Sequence, residues 1–458
     1  MKKWQLICDK PLSSQAAFGL KTLSAVIREH AGCWPHVGPE DEAFSGISLG
    51  LAAPEDHVPA GGYRIVVEAP QGDRQRARIL GADETALMHG CVDFAYRYLP
   101  RARLSRSAAH PSYFRPLFSE TPLPPADITD APAIAHRGLW LWGLAMYDYR
   151  AFFENMARLR LNEVIIWNDF APVNAREVID YAHSLGIRVI WGYAWGWDTH
   201  LLLEANVTEE AAEKIIAQYE REYAALGGDG IYFQSFTETS SETLDGRLIA
   251  EAVVEFVNRV AGRLLERHPG LRLLFGLHAE SVKNRLNYIA QVDPRVTIIW
   301  ENCGSFPYHT MPDRAEAPLE TRSFTEQLLA LRPGAGVGAV LKSMVQLDWG
   351  RFQHQTGPYI LGEADEATIR ARLPLVRQIW RYVTGEWLDH GELCLDTVRQ
   401  YAAQPDTALY GLVEDGLFER EIPLPVALFA ETLWNCRRDW RDILRETAQR
   451  CDLAPTDR

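Results

Sequence analysis

Val164-Ile165-Ile166-Trp167-Asn168-Asp169 is an apolar run that ends in polar residues; a helical pattern follows over 174–184, Gly186 stops it, and Val189-Ile190-Trp191 opens a second run. A short apolar stretch bounded by turn residues reads as a buried strand, and the 3.6-residue period between two of them reads as a helix. The unit recurs along the chain. Apolar runs lie at 139–142, 164–167, 189–191, 231–233, 273–276, 297–300 and 337–341, most of them separated by helical patterns. These spacings suit right-handed crossovers between parallel strands. With an eighth run at 359–362, the expected fold is α/β, a (β/α)8 TIM barrel; no Gly-rich phosphate loop follows the first strand, which disfavours a dinucleotide fold.

Outward from the barrel, residues 1–118 mix a helical stretch at 13–30, strand-like runs at 46–51 and 63–68, Arg78-Ile79-Leu80-Gly81-Ala82-Asp83, and a helical run at 84–98. That order predicts a small N-terminal α/β domain. Pro122, Pro124, Pro125, Asp127, Asp130 and Pro132 crowd 119–135, which reads as a linker. The barrel is assigned to 136–390, and 391–458 to a helical C-terminal extension.

Composition narrows the function. Of 458 residues, 47% are hydrophobic and 24% charged, an ordinary globular balance, and the net charge of −14 disfavours nucleic acid and anionic lipid as partners. No apolar run is long enough for a signal peptide or a membrane span, so a cytoplasmic location is expected, with a homo-oligomer left open. The seven cysteines are scattered, in neither a disulfide nor a metal pattern. Fourteen tryptophans are many, and eight fall between Trp140 and Trp349. Indole faces suit sugar rings, although most tryptophans are core residues.

A barrel of this kind carries its chemistry at the C-terminal ends of its strands. There the chain reads Trp167-Asn168-Asp169; Tyr193, Trp195, Trp197, Asp198 and His200; Gln234 and Glu238; His278 and Glu280; Glu301; and Lys342, Asp348 and Trp349. Carboxylates interleaved with indoles are what glycosidic cleavage needs, one carboxyl to protonate the leaving oxygen and another to activate water or attack the anomeric carbon. Any single strand-end carboxylate reads equally as a helix cap or a surface ion pair. Glu238 and Glu301 follow runs that must be buried, so they stand out. Of Trp195 and Trp197, which alternate about Gly196, at most one can be a sugar platform. His183, His200, His278, His309 and His354 are spread over separate loops without metal-ligand spacing, so neither a metal nor another cofactor is expected.

The stretch Ala131-Pro132-Ala133-Ile134-Ala135-His136-Arg137-Gly138-Leu139, the run from Phe153-Glu154-Asn155-Met156-Ala157 to Asn162, Trp167-Asn168-Asp169, and Val178 through Ile190 together resemble the barrel entry of β-N-acetylhexosaminidases. The piece before them, with Ile79 to Asp83 and Gly90, resembles the small N-terminal domain those enzymes share with α-glucuronidases. The resemblance covers roughly 40–310. In the hexosaminidases the fourth strand ends in adjacent Asp and Glu; here the pair is Thr237-Glu238, so the acid is kept and the acetamido-orienting Asp is not. The α-glucuronidase layout, an acid after strand four and two later carboxylates, matches Glu238, Glu280 and Glu301 and implies inverting, exo-acting cleavage of a terminal uronic acid. A uronate needs a cation, and Arg137 and Lys342 are the candidates for the barrel mouth. Two other readings compete: a catalytically inactive carbohydrate-binding barrel, and a metal-dependent barrel hydrolase or isomerase.

Overall fold

The computed structural model describes residues 4–8, 11–31, 34–99, 122–168, 170–193, 195, 209–235, 241–244, 246–278, 282, 284–302, 318–344, 357–413 and 418–450. Two compact units are present: Met1–Pro132 with Ser184–Gly186 and Ala448–Arg458, and Ala133–His183 with Ile187–Thr447.

The first unit holds a six-stranded sheet of β1 (Trp4–Ile7), β2 (His36–Gly38), β3 (Ser45–Leu51), β4 (Tyr63–Val67), β5 (Arg76–Gly81) and β6 (Ala126–Asp130), in the order β2-β1-β3-β5-β4-β6. Helices α1 (Ser14–Ala31) and α2 (Glu84–Asp93) pack on each other, and α2 packs on the sheet. Asp83 starts α2 by accepting the Ala86 N–H at 2.8 Å. The segment expected to be a linker contains β6, which pairs antiparallel with β4 and alternates half-buried with exposed positions. That alternation is how an edge strand with few apolar residues looks, and the surrounding prolines mask it.

The second unit is a closed eight-stranded barrel. Its strands are β7 (His136–Trp142), β8 (Glu163–Trp167), β9 (Arg188–Gly192), β10 (Gly230–Phe233), β13 (Arg272–His278), β14 (Val296–Asn302), β15 (Val337–Met344) and β16 (Thr407–Val413), every neighbouring pair parallel. A small hairpin, β11 (Thr243–Leu244) and β12 (Arg247–Leu248), follows β10. Between the strands run α3 (Tyr149–Arg158), α4 (Ala175–Ser184), α5 (Glu209–Glu222), α6 (Ile249–Arg267), α7 (Leu286–Ile289) and α8 (Pro318–Leu331); α9 (Glu366–His390) and α10 (Glu392–Ala402) precede β16, and α11 (Leu424–Trp434) follows it. The seven expected strands are all present. The eighth is not 359–362 but β16, so much of what reads as a C-terminal extension closes the barrel. Residues 359–362 form a loop tied to 173–174, where the Val173 N–H donates to the Tyr359 carbonyl at 2.8 Å.

Alternating side chains fill the barrel: Trp140, Trp142, Ile165, Trp167, Ile190, Tyr232, Leu274, Ile299, Val340, Ala408, Tyr410 and Leu412 form one buried cluster. Its N-terminal end is closed by charge. Glu163, the first residue of β8 and fully buried, lies between the first residues of three other strands: Arg188 at 2.7 Å, Arg272, and His136 Nδ1 at 2.9 Å. The Tyr410 hydroxyl donates to its second oxygen at 2.5 Å, and His136 Nε2 reaches Asp406 at 2.9 Å. Burial raises the Glu163 carboxyl, but the His136 contact and the Arg272 and Arg188 charges outweigh it and hold the group down at about 2.

Arg137, a candidate for the mouth, lies at this same end, as the second residue of β7. Its guanidinium is buried and donates to the Ile134, Ala135 and Arg160 carbonyls at 2.8 to 3.1 Å, over the Trp434 ring. Burial and the nearby Arg160 charge lower its pKa to about 9. It is a structural residue of the barrel base and cannot touch a ligand at the opposite end. Arg160 takes the left-handed backbone conformation at φ 61° after α3, and its buried guanidinium donates to Glu431 at 2.5 Å and lies over the Trp434 ring at 4.4 Å. An ion pair and an indole offset the cost of that backbone, roughly 1–2 kcal/mol.

Candidate active site

Glu301 is the sixth residue of β14 and points into the barrel near its C-terminal end. Strand register sets it beside His278, the last residue of β13, and Lys342 two positions past its partner Val340 on β15. Glu301 Oε2 lies 3.0 Å from Lys342 Nζ. Its Oε1 accepts from the Tyr232 hydroxyl at 2.5 Å and from the Gln234 amide. Tyr232 and Gln234 belong to β10 and its end, so they reach Glu301 across the intervening strand β13. Gly276 makes the crossing feasible: a Cβ there would stand 2.2 Å from the Tyr232 hydroxyl oxygen and 2.8 Å from Glu301 Oε1.

The electrostatics follow from these contacts. Burial pushes the Glu301 carboxyl up, but the Lys342 ammonium first, then His278 and the Tyr232 hydroxyl, bring it below its ordinary value. Burial and the Glu301 charge push the Tyr232 phenol well above its own, so it stays a donor. A buried carboxylate thus keeps its charge through directed donors. Beside it stand indoles: Trp140 stacks near Trp167 at 6.1 Å, and Trp142 and Tyr232 meet Trp140 edge-on at 4.8 and 6.0 Å. Trp142 and Trp167, which end β7 and β8, form the upper part of this wall.

Glu301, Lys342, His278, Trp167 and Asn168 all fall at the C-terminal ends of their strands, and the first three come together. Tyr193 and Trp195 do not join them. Tyr193 stacks flat on Tyr223 beyond α5 at 5.0 Å, and Trp195 lies flat on Phe233 at 3.6 Å, with Phe233 on Phe275 at 5.0 Å. Both are buried in the layer between barrel and helices, so neither is a sugar wall. Asp169, Trp197, Asp198, His200, Glu238, Glu280, Asp348 and Trp349 lie outside the described residues.

Tyr232 and Trp142 escaped the sequence reading as site residues, although alternation signals both, since each shares the inward parity of its strand. Glu419, which follows the unrecognised strand β16, is a further buried carboxylate that the sequence reading does not single out. Its Oε1 accepts the Tyr147 N–H at 2.7 Å and the Asp148 N–H at 3.4 Å, in the loop after β7, and burial pushes its carboxyl up to about 7. Among the described residues no group of three or more His, Cys, Asp or Glu is arranged to hold a metal, and no described helix is long and apolar enough to cross a membrane.

No protein-family model matches the chain, and no curated protein is similar to it in sequence. Solved structures are similar in fold. The GH20 β-N-acetylhexosaminidase from Streptomyces coelicolor superposes at a TM-score of 0.56 and 14% identity, over 99% of this chain and 92% of that one. A GH138 enzyme targeting pectin rhamnogalacturonan II gives 0.54 and 11%, over 96% of this chain, and a GH115 4-O-methyl-α-glucuronidase gives 0.50 and 11%, over 98%. The chain spans 65% of the GH138 enzyme and 59% of the glucuronidase. At such identities the likeness is one of architecture, and the architecture is an α/β TIM barrel of the kind these glycoside hydrolases have.

Proposed function

We propose that the protein is an exo-acting glycoside hydrolase that cleaves a terminal sugar by carboxylate chemistry, with Glu301 as its charged carboxylate, Glu238 as general acid and Glu280 in support. One observation carries the reading: a buried, ionised carboxylate, fixed by three donors, at the catalytic end of a barrel beside a wall of indoles. A carboxylate that resists protonation is suited to face the positive charge that develops on a sugar ring in the transition state. The wall of Trp142 and Trp167 supplies the apolar side of a pocket for one ring. The uronic-acid form of this reading needed Arg137 or Lys342 for the sugar's carboxylate. Arg137 is at the other end of the barrel and Lys342 is paired with Glu301, so these two candidates among the described residues lend the uronic-acid form no support, and we infer a neutral terminal sugar.

A panel of aryl glycosides and the matching uronides, each with and without EDTA, tests this. Turnover of a neutral glycoside, unchanged by the chelator, is expected. Saturable binding without turnover would make the protein a carbohydrate-binding barrel, and loss of activity with EDTA would make it a metal-dependent enzyme.

Gly276→Ala gives a sharper check on the geometry. The added methyl drives the Tyr232 hydroxyl and the Glu301 carboxylate apart, and a displacement of about 1 Å at a reacting group costs on the order of 100-fold in rate. Assay of kcat/KM beside a melting curve should show that loss with the fold retained. Full activity in this variant would mean that the position of Glu301 is unimportant.

A further inference from the structure

We propose that Lys342 is a positioning residue that serves Glu301 rather than the substrate: its ammonium, with Tyr232 and Gln234 on the other oxygen, holds one carboxylate in a single charged orientation. The inference rests on the glycosidase reading of the site and goes beyond it in assigning the lysine.

The geometry distinguishes this role from two plainer ones. A lysine kept for a substrate anion would leave its ammonium toward the opening; this one is buried, its side chain 10% exposed, and lies 3.0 Å from Glu301 Oε2. A lysine kept only for stability is poorly explained too, because a buried ion pair seldom outperforms apolar residues of the same volume. The arrangement also involves more than two residues. Three strands contribute to it, β10 through Tyr232 and Gln234, β14 through Glu301 and β15 through Lys342, and β13 contributes an absence, the missing side chain of Gly276. Both oxygens of Glu301 are thereby fixed, which removes the rotation of its carboxylate about the last side-chain bond. Among the described residues the titratable groups facing Glu301 are Lys342 from β15, His278 from β13 and Tyr232 from β10. Lys342 is the cation in direct contact with it, and the direction in which the Glu301 carboxyl is displaced agrees with that.

Lys342→Met and Lys342→Arg separate these roles. In the methionine variant the acidic limb of kcat/KM should move to higher pH by about one unit or more, since an opposite charge at this range has an effect of that size. Its kcat should fall by at least 10-fold with KM little changed. Arginine keeps the charge and should return the acidic limb toward its original place. A rise in KM at constant kcat would overturn the proposal and make Lys342 a substrate ligand; so would an acidic limb unmoved in Lys342→Met. A second readout needs no substrate. The side-chain carboxyl of Glu301, labelled with 13C and assigned by the signal lost in Glu301→Gln, should titrate at higher pH in Lys342→Met than in the unaltered protein, and an unchanged titration overturns the proposal. If the unaltered protein cleaves no glycoside, the glycosidase reading falls, while the titration still decides what the lysine does to Glu301.

Discussion

Glu301→Gln is expected to lower kcat/KM by about 10³-fold or more, close to 4 kcal/mol of transition-state stabilisation, on whichever glycoside the protein cleaves. The amide is nearly the same size and still accepts from Tyr232, so packing changes little; what disappears is the charge. The substitution also leaves the Lys342 ammonium buried without its counter-ion, which is destabilising in its own right. Melting curves must therefore accompany the kinetics. The double variant Glu301→Gln, Lys342→Met removes both charges and should recover most of any lost stability without recovering activity. Activity of the single variant within tenfold of the unaltered protein would remove Glu301 from the mechanism.

The second large effect is expected at the opposite end of the barrel, on stability. Glu163→Gln leaves the Arg272 guanidinium, 17% exposed, without its carboxylate, while Arg188, 40% exposed, can turn to water. Breaking a buried ion pair by removing one partner costs roughly 3–5 kcal/mol, and one relieved guanidinium places this case near the lower value. Linkage gives an independent figure. The Glu163 carboxyl falls from 4.5 to about 2 on folding, and at 1.36 kcal/mol per unit that is about 3 kcal/mol. A carboxyl held below its unfolded value contributes this stability in full above about pH 4.5 and loses it as pH falls through about 2. Urea unfolding at pH 7 and at pH 3 should show the unaltered protein well above the variant at the first and closer to it at the second. Equal unfolding midpoints at pH 7 would show that the cluster carries no net stability.

Glu163 and Glu301 show what was legible in the sequence and what was not. Both adjoin buried apolar runs, and both are buried carboxylates inside the barrel that neighbouring cations hold below their ordinary pKa. Only the end of the strand on which each sits separates the structural residue from the candidate catalytic one, and that distinction could be read for Glu301 because it comes after its run. Arg137 shows the limit. Strand β7 begins at His136, before its apolar stretch, so a residue that looked like part of the barrel mouth is in the base. Tyr193 and Trp195 were misread for want of parity: Ile190 faces the barrel, so the odd-numbered Trp191, Tyr193 and Trp195 face the helices. The eighth strand was missed because the short run at 359–362 stands where a closing strand is looked for, whereas α9 and α10 come first and the strand begins at Thr407.

That late strand has a consequence for how the chain is made. As the polypeptide leaves the ribosome, β7 and β15 exist as unpaired edges until Thr407–Val413 arrives to bridge them, and the two long helices must be synthesised in the meantime. Open parallel edges are templates for pairing with other chains. A fragment cut near residue 390, where the spacing of the first seven strands invites a domain boundary, would keep both edges open for good, and self-association rather than a smaller barrel is its natural fate.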